Sequence, residues 1–529
     1  MQISKSVVAF ATLLILSMGC AIAASDQSMR PIPASEILHK VRNHQPVEYD
    51  HITVTGDLDL SKLIISSIII IRNSKFDGVV SFNETTLDMP IDVSFSNLTK
   101  QAYFVGSTFN KNADFGGTTF NGYADYFEST FNDDAEFVGS TFAESAIFYQ
   151  ATFKGNAEFN ICTFRKVAYF ERAAFFGDCS FQDATISGAT YFSRSKFSGY
   201  TLFDEAAFGE KADFSLALFR GYTTFDKADF SGSSDFEAAE FNDTVIFTEV
   251  TFSGDADFRR AMFHGAADFS WTDFKGDAPF DFVTFSRLAI FRAATFNGKA
   301  YFWRVKFNGN TSFFETTFSD DSDFRGAIFN RSVSFEDGRF KSRALFERSQ
   351  FLGNLNLKGL EYDKLYVRWF NITELSFDDT AYLKLIENFR MLGYYSDADQ
   401  CYVSYRIQNR QNLPLYYRPI DWLLWILYGY GTMPELPFIW SLLVIVLCGG
   451  FFYFTADIET PDKKTTLMEA MYFSASAFTS GARTLGGFVS TPEDVKVKGR
   501  ARYVLAAEKL LGLLLVGLFL TALARTVIR

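Results

Sequence analysis

The sequence predicts a long β-solenoid, followed by a helical linker and by two membrane-spanning helices. From residue 60 to residue 357, an aromatic or aliphatic residue returns every eleven residues. Small residues precede these positions and Gly, Asn and Asp fill the gaps, which is typical of short β-strands joined by turns. Two uncharged segments near the carboxyl end are each long enough to cross a bilayer.

The amino end, residues 1–24, is predicted to be a secretory signal peptide. Lys5 precedes an apolar run from Val7 to Met18, and Ala21-Ile22-Ala23 supplies a small-residue cleavage site. An uncleaved anchor is the alternative, and either one exports the residues that follow. Residues 25–59 are expected to form a cap with a short helix and a first pair of strands, because the end of a solenoid must be covered.

The repeat region, residues 60–365, is built from units that read small-x-Phe-x-x-x-x-Phe. Residues 102–109 read AYFVGSTF, and residues 113–120 read ADFGGTTF. An eleven-residue period also fits a long helix, but the alternating spacing of five and six residues between aromatics favours strands and turns. The period of two along a strand places the small residue and the Phe on one inward face. Each unit buries little surface alone, so the units must stack.

These units resemble the Phe-rich branch of the pentapeptide-repeat family. The resemblance implies a right-handed quadrilateral β-helix in which Phe side chains fill the bore. With four faces to a coil, a coil takes about 22 residues, and about 14 coils give a rod of about 65 Å. Acidic residues beside the Phe positions are expected to point outward as solvated surface residues: Asp114, Glu136, Asp213, Asp257 and Asp268.

Composition excludes several classes of function. A net charge of −12 disfavours nucleic-acid binding through phosphates. The cysteines and histidines show neither CxxC pairs nor metal-ligand spacing, so no metal, cofactor or disulfide framework is expected. Cys162 and Cys179 each stand two residues before a Phe and are interpreted as buried small residues. No nucleophile, metal cluster or phosphate loop has usable spacing, so the chain is not expected to be an enzyme.

Residues 366–435 are predicted to form a helical linker and an interfacial helix. Within 377–410, apolar residues recur at helical spacing and are interrupted by Gly393, which indicates a helical hairpin. Its expected role is mechanical linkage, with peptide binding as the alternative. Residues 422–431, WLLWILYGYG, are too short to span a bilayer and are rich in Trp and Tyr, as interfacial helices are.

Residues 436–456 and 503–524 are predicted to be transmembrane helices 1 and 2. Glu508 and Lys509 lie near one end of the second span and are interpreted as solvated anchors, with a transport role as the alternative. Between the spans, residues 466–488 are predicted to form a half-length amphipathic helix, ending at 478, and a loop that begins with Thr-x-Gly.

This arrangement resembles the two-helix potassium-channel pore module, with EAMYFSASAFTSG as pore helix and the start of a filter. The resemblance implies a homotetramer in the lipid bilayer and a path for monovalent cations. The matching positions make Thr479, Ser480, Gly481 and Arg483 the ion-pathway candidates. Ala482 and Arg483 stand where the family has Tyr-Gly, and an arginine there opposes cations and should weaken potassium preference.

Seven cationic residues lie between the two predicted spans, whereas three, Arg418, Arg525 and Arg529, flank the spans on the other side. Because cytoplasmic segments are rich in Lys and Arg, the repeat domain is predicted to be extracytoplasmic. The leading hypothesis is therefore a cation-channel-like protein integral to the cell membrane. The alternative is a non-conducting, membrane-anchored scaffold whose β-helix binds proteins. DNA mimicry by the acidic repeats is a third hypothesis, and it requires a cytosolic location.

Overall fold

The chain divides into two compact units. The first is a solenoid that continues to Leu375, and the second contains Arg368–Phe370 and the residues from Ser376 onward. The predicted signal peptide, residues 1–24, lies outside the described part of the chain. The computed structural model describes residues 29–455, 458–459, 466–481, 496–497 and 499–527.

Each coil of the solenoid contains four short strands, one on each face. A strand pairs in parallel with the strand 22 residues later, so that Thr119 lies opposite Thr141. The coil of four faces and about 22 residues is confirmed. Most strands have two residues. The first face runs from Arg30–Pro33 and Ile52–Thr55 to Arg339–Phe340, and the second runs from Leu58–Asp59 to Leu365–Tyr366. The third face runs from Ile64–Ile65 to Ile328–Phe329, and the fourth runs from Val47–Asp50 and Ile69–Arg72 to Val333–Ser334. The strands Gln350–Asn356 and Ile372–Leu375 close the stack.

The solenoid has about 16 turns, so the predicted number of about 14 coils was too low. Strands that the sequence assigned to the cap already pair with the ladder, Arg30–Pro33 with Ile52–Thr55 and Val47–Asp50 with Ile69–Arg72. They bury Ile and Val instead of Phe, which is why the aromatic pattern does not reveal them. The expected short helix of this region is α1, Ala34–Arg42.

The bore is filled by columns of parallel aromatic rings, as the sequence predicted. The centroids of Phe109 and Phe131, one coil apart, are separated by 4.5 Å and their planes differ by 3°. Neighbouring columns meet edge to face, as Phe104 and Phe115 do at 5.4 Å and 81°. Burial of each ring contributes about 2 kcal/mol, and each ring pair adds about 1 kcal/mol. The small residues of the repeat, such as Ala113, are buried beside the rings.

A tight turn accompanies every eleven residues of the solenoid. From Lys62 to Gly359 one residue in each period has a positive φ, and most of these residues, such as Glu128 and Arg172, are not glycine. The left-handed conformation costs a residue with a side chain about 1 kcal/mol. The stacked rings on either side of the turn offset this cost, which is why the turn does not demand glycine.

Acidic side chains beside the Phe positions lie on the outer surface, as predicted. Asp213 pairs with Lys211 at 3.1 Å, and Asp257 pairs with Arg259 at 2.6 Å. Stacking also places carboxylates close to one another on adjacent coils. Partial burial and these neighbouring carboxylates raise the pKa of Asp114 above its ordinary value. The outer surface is therefore organised into ladders of charge.

Cys162 and Cys179 are buried and free, as the sequence predicted. The Cys162 thiol donates to the carbonyl oxygen of Phe137 at 2.8 Å. Burial raises the pKa of Cys179 well above its ordinary value. Both residues therefore act as small apolar residues of the bore.

The second unit is helical. The hairpin predicted within 377–410 is present as two helices, with Gly393 at a φ of 74° between them. Tyr382, Leu385 and Phe389, which recur at helical spacing within this segment, are buried. The helices are α2 (Asp379–Met391), α3 (Tyr395–Asn409), α4 (Arg418–Tyr428), α5 (Glu435–Thr455), α6 (Leu467–Gly481) and α7 (Ala501–Val527), with 3₁₀ turns at Arg410–Asn412 and Gly429–Gly431 and a strand pair of Ile458–Glu459 with Lys496–Val497.

The ring columns predict that an inward Phe contributes much more to the free energy of unfolding than an outward Phe. Phe236 is stacked between Phe214 and Phe258 and is fully buried, whereas 56% of the Phe176 side chain is exposed. Replacing Phe236 by Ala leaves a cavity and should lower the free energy of unfolding by about 4 kcal/mol. The control Phe176→Ala should change it by less than about 1 kcal/mol. Guanidinium unfolding followed by circular dichroism measures both, and equal losses would contradict the ladder.

Candidate functional site

The helix α6 is a half-length element between the two long apolar helices α5 and α7. It begins with a capping box, in which the Thr466 N–H donates to Glu469 Oε2 at 2.7 Å and the Glu469 N–H donates to Thr466 Oγ1 at 3.3 Å. Its 15 residues extend about 22 Å, which is less than the about 30 Å of a bilayer core. The helices α5 and α7 are both long and apolar enough to cross a membrane.

Glycine residues let both long helices approach α6 closely. A β-carbon on Gly449 of α5 would lie 2.6 Å from the sulfur of Met471. A β-carbon on Gly512 of α7 would lie 2.2 Å from the carbonyl oxygen of Phe478, near the carboxyl end of α6. Small residues at such contacts allow tight helix packing in membranes. The position of α6 is therefore fixed from both sides.

Glu508 is buried between α6 and α7, so the interpretation of this residue as a solvated anchor was wrong. Its relative exposure is 0%. The Ser474 hydroxyl of α6 contacts Glu508 Oε1 and lies 2.9 Å from the carbonyl oxygen of Ile445 in α5. Within the described residues, Glu508 Oε2 has no hydrogen-bond partner. An ionisable group at such depth is a marker of function in membrane proteins.

Ser474 connects the three helices. Its hydroxyl oxygen lies within hydrogen-bond distance of the Ile445 carbonyl oxygen in α5 and of the Glu508 carboxyl in α7. This one side chain of α6 therefore joins α5 and α7.

Three of the predicted ion-pathway residues, Thr479, Ser480 and Gly481, form the last turn of α6. The sequence placed the end of this helix at 478, and the structure extends it to Gly481. The Thr479 hydroxyl donates to the carbonyl oxygen of Ala475 at 2.9 Å, and Ser480 donates to that of Ala477 at 2.8 Å. These side chains therefore satisfy carbonyl groups of their own helix.

The carboxyl end of α6 carries the partial negative charge of the helix dipole. Its last turn contains no basic residue, so no side chain of that turn offsets the partial negative charge of the helix dipole. Such an end favours a nearby cation. Arg483, the fourth predicted residue of the pathway, lies outside the described residues. Among the residues that the structure does describe, no cluster of His, Cys, Asp and Glu could hold a metal ion.

An ionic cluster around Asp421 joins α3 to α4. Arg406 Nη2 lies 2.7 Å from Asp421 Oδ1, and Arg410 Nε lies 2.7 Å from Asp421 Oδ2. The Tyr430 hydroxyl donates to Asp421 Oδ2 at 2.5 Å. Burial alone would raise the pKa of Asp421, but the hydrogen bonds from Tyr430, Arg410 and Arg406 outweigh it and lower the pKa below its ordinary value.

The same cluster reaches the end of α7. Arg525 Nη1 donates to the carbonyl oxygen of Tyr430 at 3.1 Å, and Arg525 Nη2 lies 3.5 Å from Asp399 of α3. The Arg525 guanidinium also lies 4.7 Å from the ring centroid of Tyr402. The hairpin of α2 and α3 is thus connected to the second long helix by charged contacts.

Sequence reasoning missed this cluster, although two signals pointed to it. Arg406 and Arg410 are four residues apart and therefore share one face of a helix. Asp421 is the only carboxylate within the apolar segment 419–431, and a charge placed in such a segment needs a partner. The pairing itself depends on how the chain folds between α3 and α4.

The contact of Gly512 with α6 predicts a strong effect of one added methyl group. Gly512→Ala should force the Phe478 backbone away and lower the free energy of unfolding by about 2 kcal/mol. The thermal unfolding temperature in detergent should fall accordingly. Gly517→Ala on the same helix is the control, because a β-carbon at Gly517 meets nothing within 4 Å. Equal effects of the two substitutions, in a thermal scan of both variants, would show that α6 does not pack against Gly512.

The Asp421 cluster predicts a pH-dependent contribution to stability. Asp421→Asn removes the charge that two arginines share and should destabilise the helical unit by about 3 kcal/mol at pH 7. Because the folded-state pKa of Asp421 is lowered, this advantage of the wild type exists above pH about 4 and is lost as the pH falls further. Thermal unfolding at several pH values tests this. Glu387→Gln, at an exposed position of α2, is the control, and an equal loss in both variants would contradict the role of Asp421.

Comparison with known proteins supports the repeat assignment. Residues 148–196, 225–272, 272–317 and 313–360 match the model of pentapeptide repeats (9 copies). These matches lie within the solenoid and stop before the helical unit. No curated protein and no solved structure matches the chain. The matched residues of the solenoid are therefore similar to pentapeptide repeats.

Proposed function

We propose that the chain is an integral protein of the cell membrane whose helices α5, α6 and α7 form one subunit of a potassium-channel-like path for monovalent cations. The observation that carries the proposal is the half-length α6, held between two long apolar helices by Gly449 and Gly512. Its carboxyl end, at Thr479–Gly481, is free of basic residues. A helix end with this charge lowers the cost of a cation in a low-dielectric environment.

The path requires several copies of the chain, and we propose a homotetramer. Two long helices cannot enclose a pore by themselves. Both helices expose apolar side chains along their length, such as Leu442, Val446 and Leu514, and this surface suits lipid and neighbouring subunits. Four copies would bring four α6 ends together around one axis.

We further propose that the solenoid lies outside the cytoplasm. The excess of Lys and Arg between the two long helices supports a cytoplasmic location for that segment. The residues before α5 would then be on the opposite side. Protease added to intact cells should degrade the solenoid, and complete protection would contradict this orientation.

A non-conducting membrane scaffold is the second candidate function. The conformation of the last turn of α6 favours it. The hydroxyls of Thr479 and Ser480 donate to carbonyl oxygens of their own helix. The backbone of this turn is helical, whereas that of a potassium filter is extended. In this case α6 would serve only to brace the two long helices, and the solenoid would present a stiff surface to protein partners.

Ion flux through liposomes that contain the purified chain separates the two candidates. We expect potassium and sodium flux, and we expect Arg483→Gly to raise the potassium-to-sodium flux ratio, because it removes a positive charge next to the proposed path. Arg500→Gly, at an exposed position before α7, is the control and should leave the ratio unchanged. Absence of flux from correctly inserted tetramers would reject the channel and leave the scaffold. An unchanged ratio in Arg483→Gly would reject the role of Arg483.

A further inference from the structure

One corner of the solenoid contains a hollow with unusual chemistry. It has a volume of about 540 Å³ and is lined by Trp303, Arg304, Arg325, Gly326, Glu347 and Arg348. We call these six residues the arginine hollow. Its volume lies in the range of small-molecule sites.

The hollow exists because a glycine interrupts a ladder of large side chains. The left-handed position of this corner is occupied on successive coils by Arg304, Gly326 and Arg348. A β-carbon on Gly326 would lie 3.3 Å from Cγ of Arg304, so the stem of Arg304 passes closely over the glycine. The missing side chain leaves open space between the two arginines.

The charges in the arginine hollow are not balanced. Arg325 pairs with Asp323 at 2.6 Å. Neither Arg304 nor Arg348 forms an ion pair with any residue that the structure describes. In a chain with a net charge of −12, two unpaired guanidinium groups at one corner make a local positive site. Guanidinium groups bind phosphate and carboxylate groups through paired hydrogen bonds.

Two further features of the hollow indicate that its ligand is larger than a simple anion. The Trp303 ring is 37% exposed and meets the Phe282 ring edge to face at 4.8 Å, so it presents a rigid apolar wall. Arg304 lies 4.7 Å from the Trp303 ring centroid, which holds this guanidinium near the wall. Glu347 Oε2 is buried and lacks a hydrogen-bond partner within the described chain. A buried acceptor without a donor indicates a missing partner.

From this combination we infer that the arginine hollow binds a hydroxylated ring that carries one anionic group, a sugar phosphate or a sugar acid. Arg304 and Arg348 hold the anion, Trp303 contacts the apolar face of the ring, and a ring hydroxyl donates to Glu347. This site lies in the solenoid and is independent of the function proposed for the helical unit.

Calorimetric titration of the full chain in detergent tests the site with three probes: glucose 6-phosphate, inorganic phosphate and glucose. We expect glucose 6-phosphate to bind at least tenfold more tightly than either of the others. Arg304→Gln and Arg348→Gln should each weaken its binding by tenfold or more. Trp303→Ala should weaken the binding of glucose 6-phosphate and leave that of inorganic phosphate unchanged, because only the contact with the ring is lost.

Arg194→Gln is the matched control, since Arg194 occupies the same left-handed corner position several coils earlier and lies outside the hollow. It should leave binding unchanged. All four side chains lie on the outer surface, and an unchanged circular dichroism spectrum verifies that each variant is folded. Equal affinities for glucose 6-phosphate and inorganic phosphate, no binding of any probe, or equal weakening by Arg194→Gln would each overturn the inference.

Discussion

The solenoid depends on one interaction, the parallel stacking of a ring on the ring 22 residues later. Phe296 and Phe318 repeat the geometry of Phe109 and Phe131 at 5.0 Å and 6°, in another ring column farther along the solenoid. This spacing is close to the separation of paired β-strands, so ring stacking and backbone pairing reinforce each other. The two-residue strands and the left-handed turns are tolerable only because both repeat in register. Inserting or deleting one residue in any coil would shift the register of every coil that follows.

The helical unit depends on a different principle, close contact at small residues and paired polar groups. Gly449 and Gly512 bring three helices together, and the Ser474 hydroxyl contacts both the Glu508 carboxyl and the Ile445 carbonyl oxygen there. Within a bilayer, such groups have no water to replace a lost partner. The charged contacts of Arg525 then connect the end of α7 to the hairpin. A movement of the hairpin would therefore act directly on α7.

Much of the solenoid could be predicted from the sequence, because its core residues are periodic. The positions of Phe104 and Ala113 fix the inward face, and their spacing fixes the coil. The beginning of the solenoid was less visible, since Ile32 and Val47 bury the same kind of surface without an aromatic ring. The helical segments were visible from apolar spacing and length. Pairings between distant residues, such as Arg410 with Asp421, were not, because side chains meet there through the fold and not through a local pattern.

The same reason explains the outcome for the candidate site. Because Lys509 is the neighbour of Glu508 and has the opposite charge, Glu508 was interpreted as solvated. However, the face of α7 that carries Glu508 is the one that packs against Ser474. The arginine hollow was likewise hidden, because its residues are separated by whole coils. Local sequence predicts which elements form, and packing decides which polar residues they enclose.

The central claim, that α6 and the two long helices assemble around a path, is tested most directly by electron cryomicroscopy of the full chain in lipid nanodiscs. The account predicts four copies around one axis, with the carboxyl ends of the four α6 helices converging on it. Single copies, or an assembly in which the α6 ends point away from the axis, would contradict it.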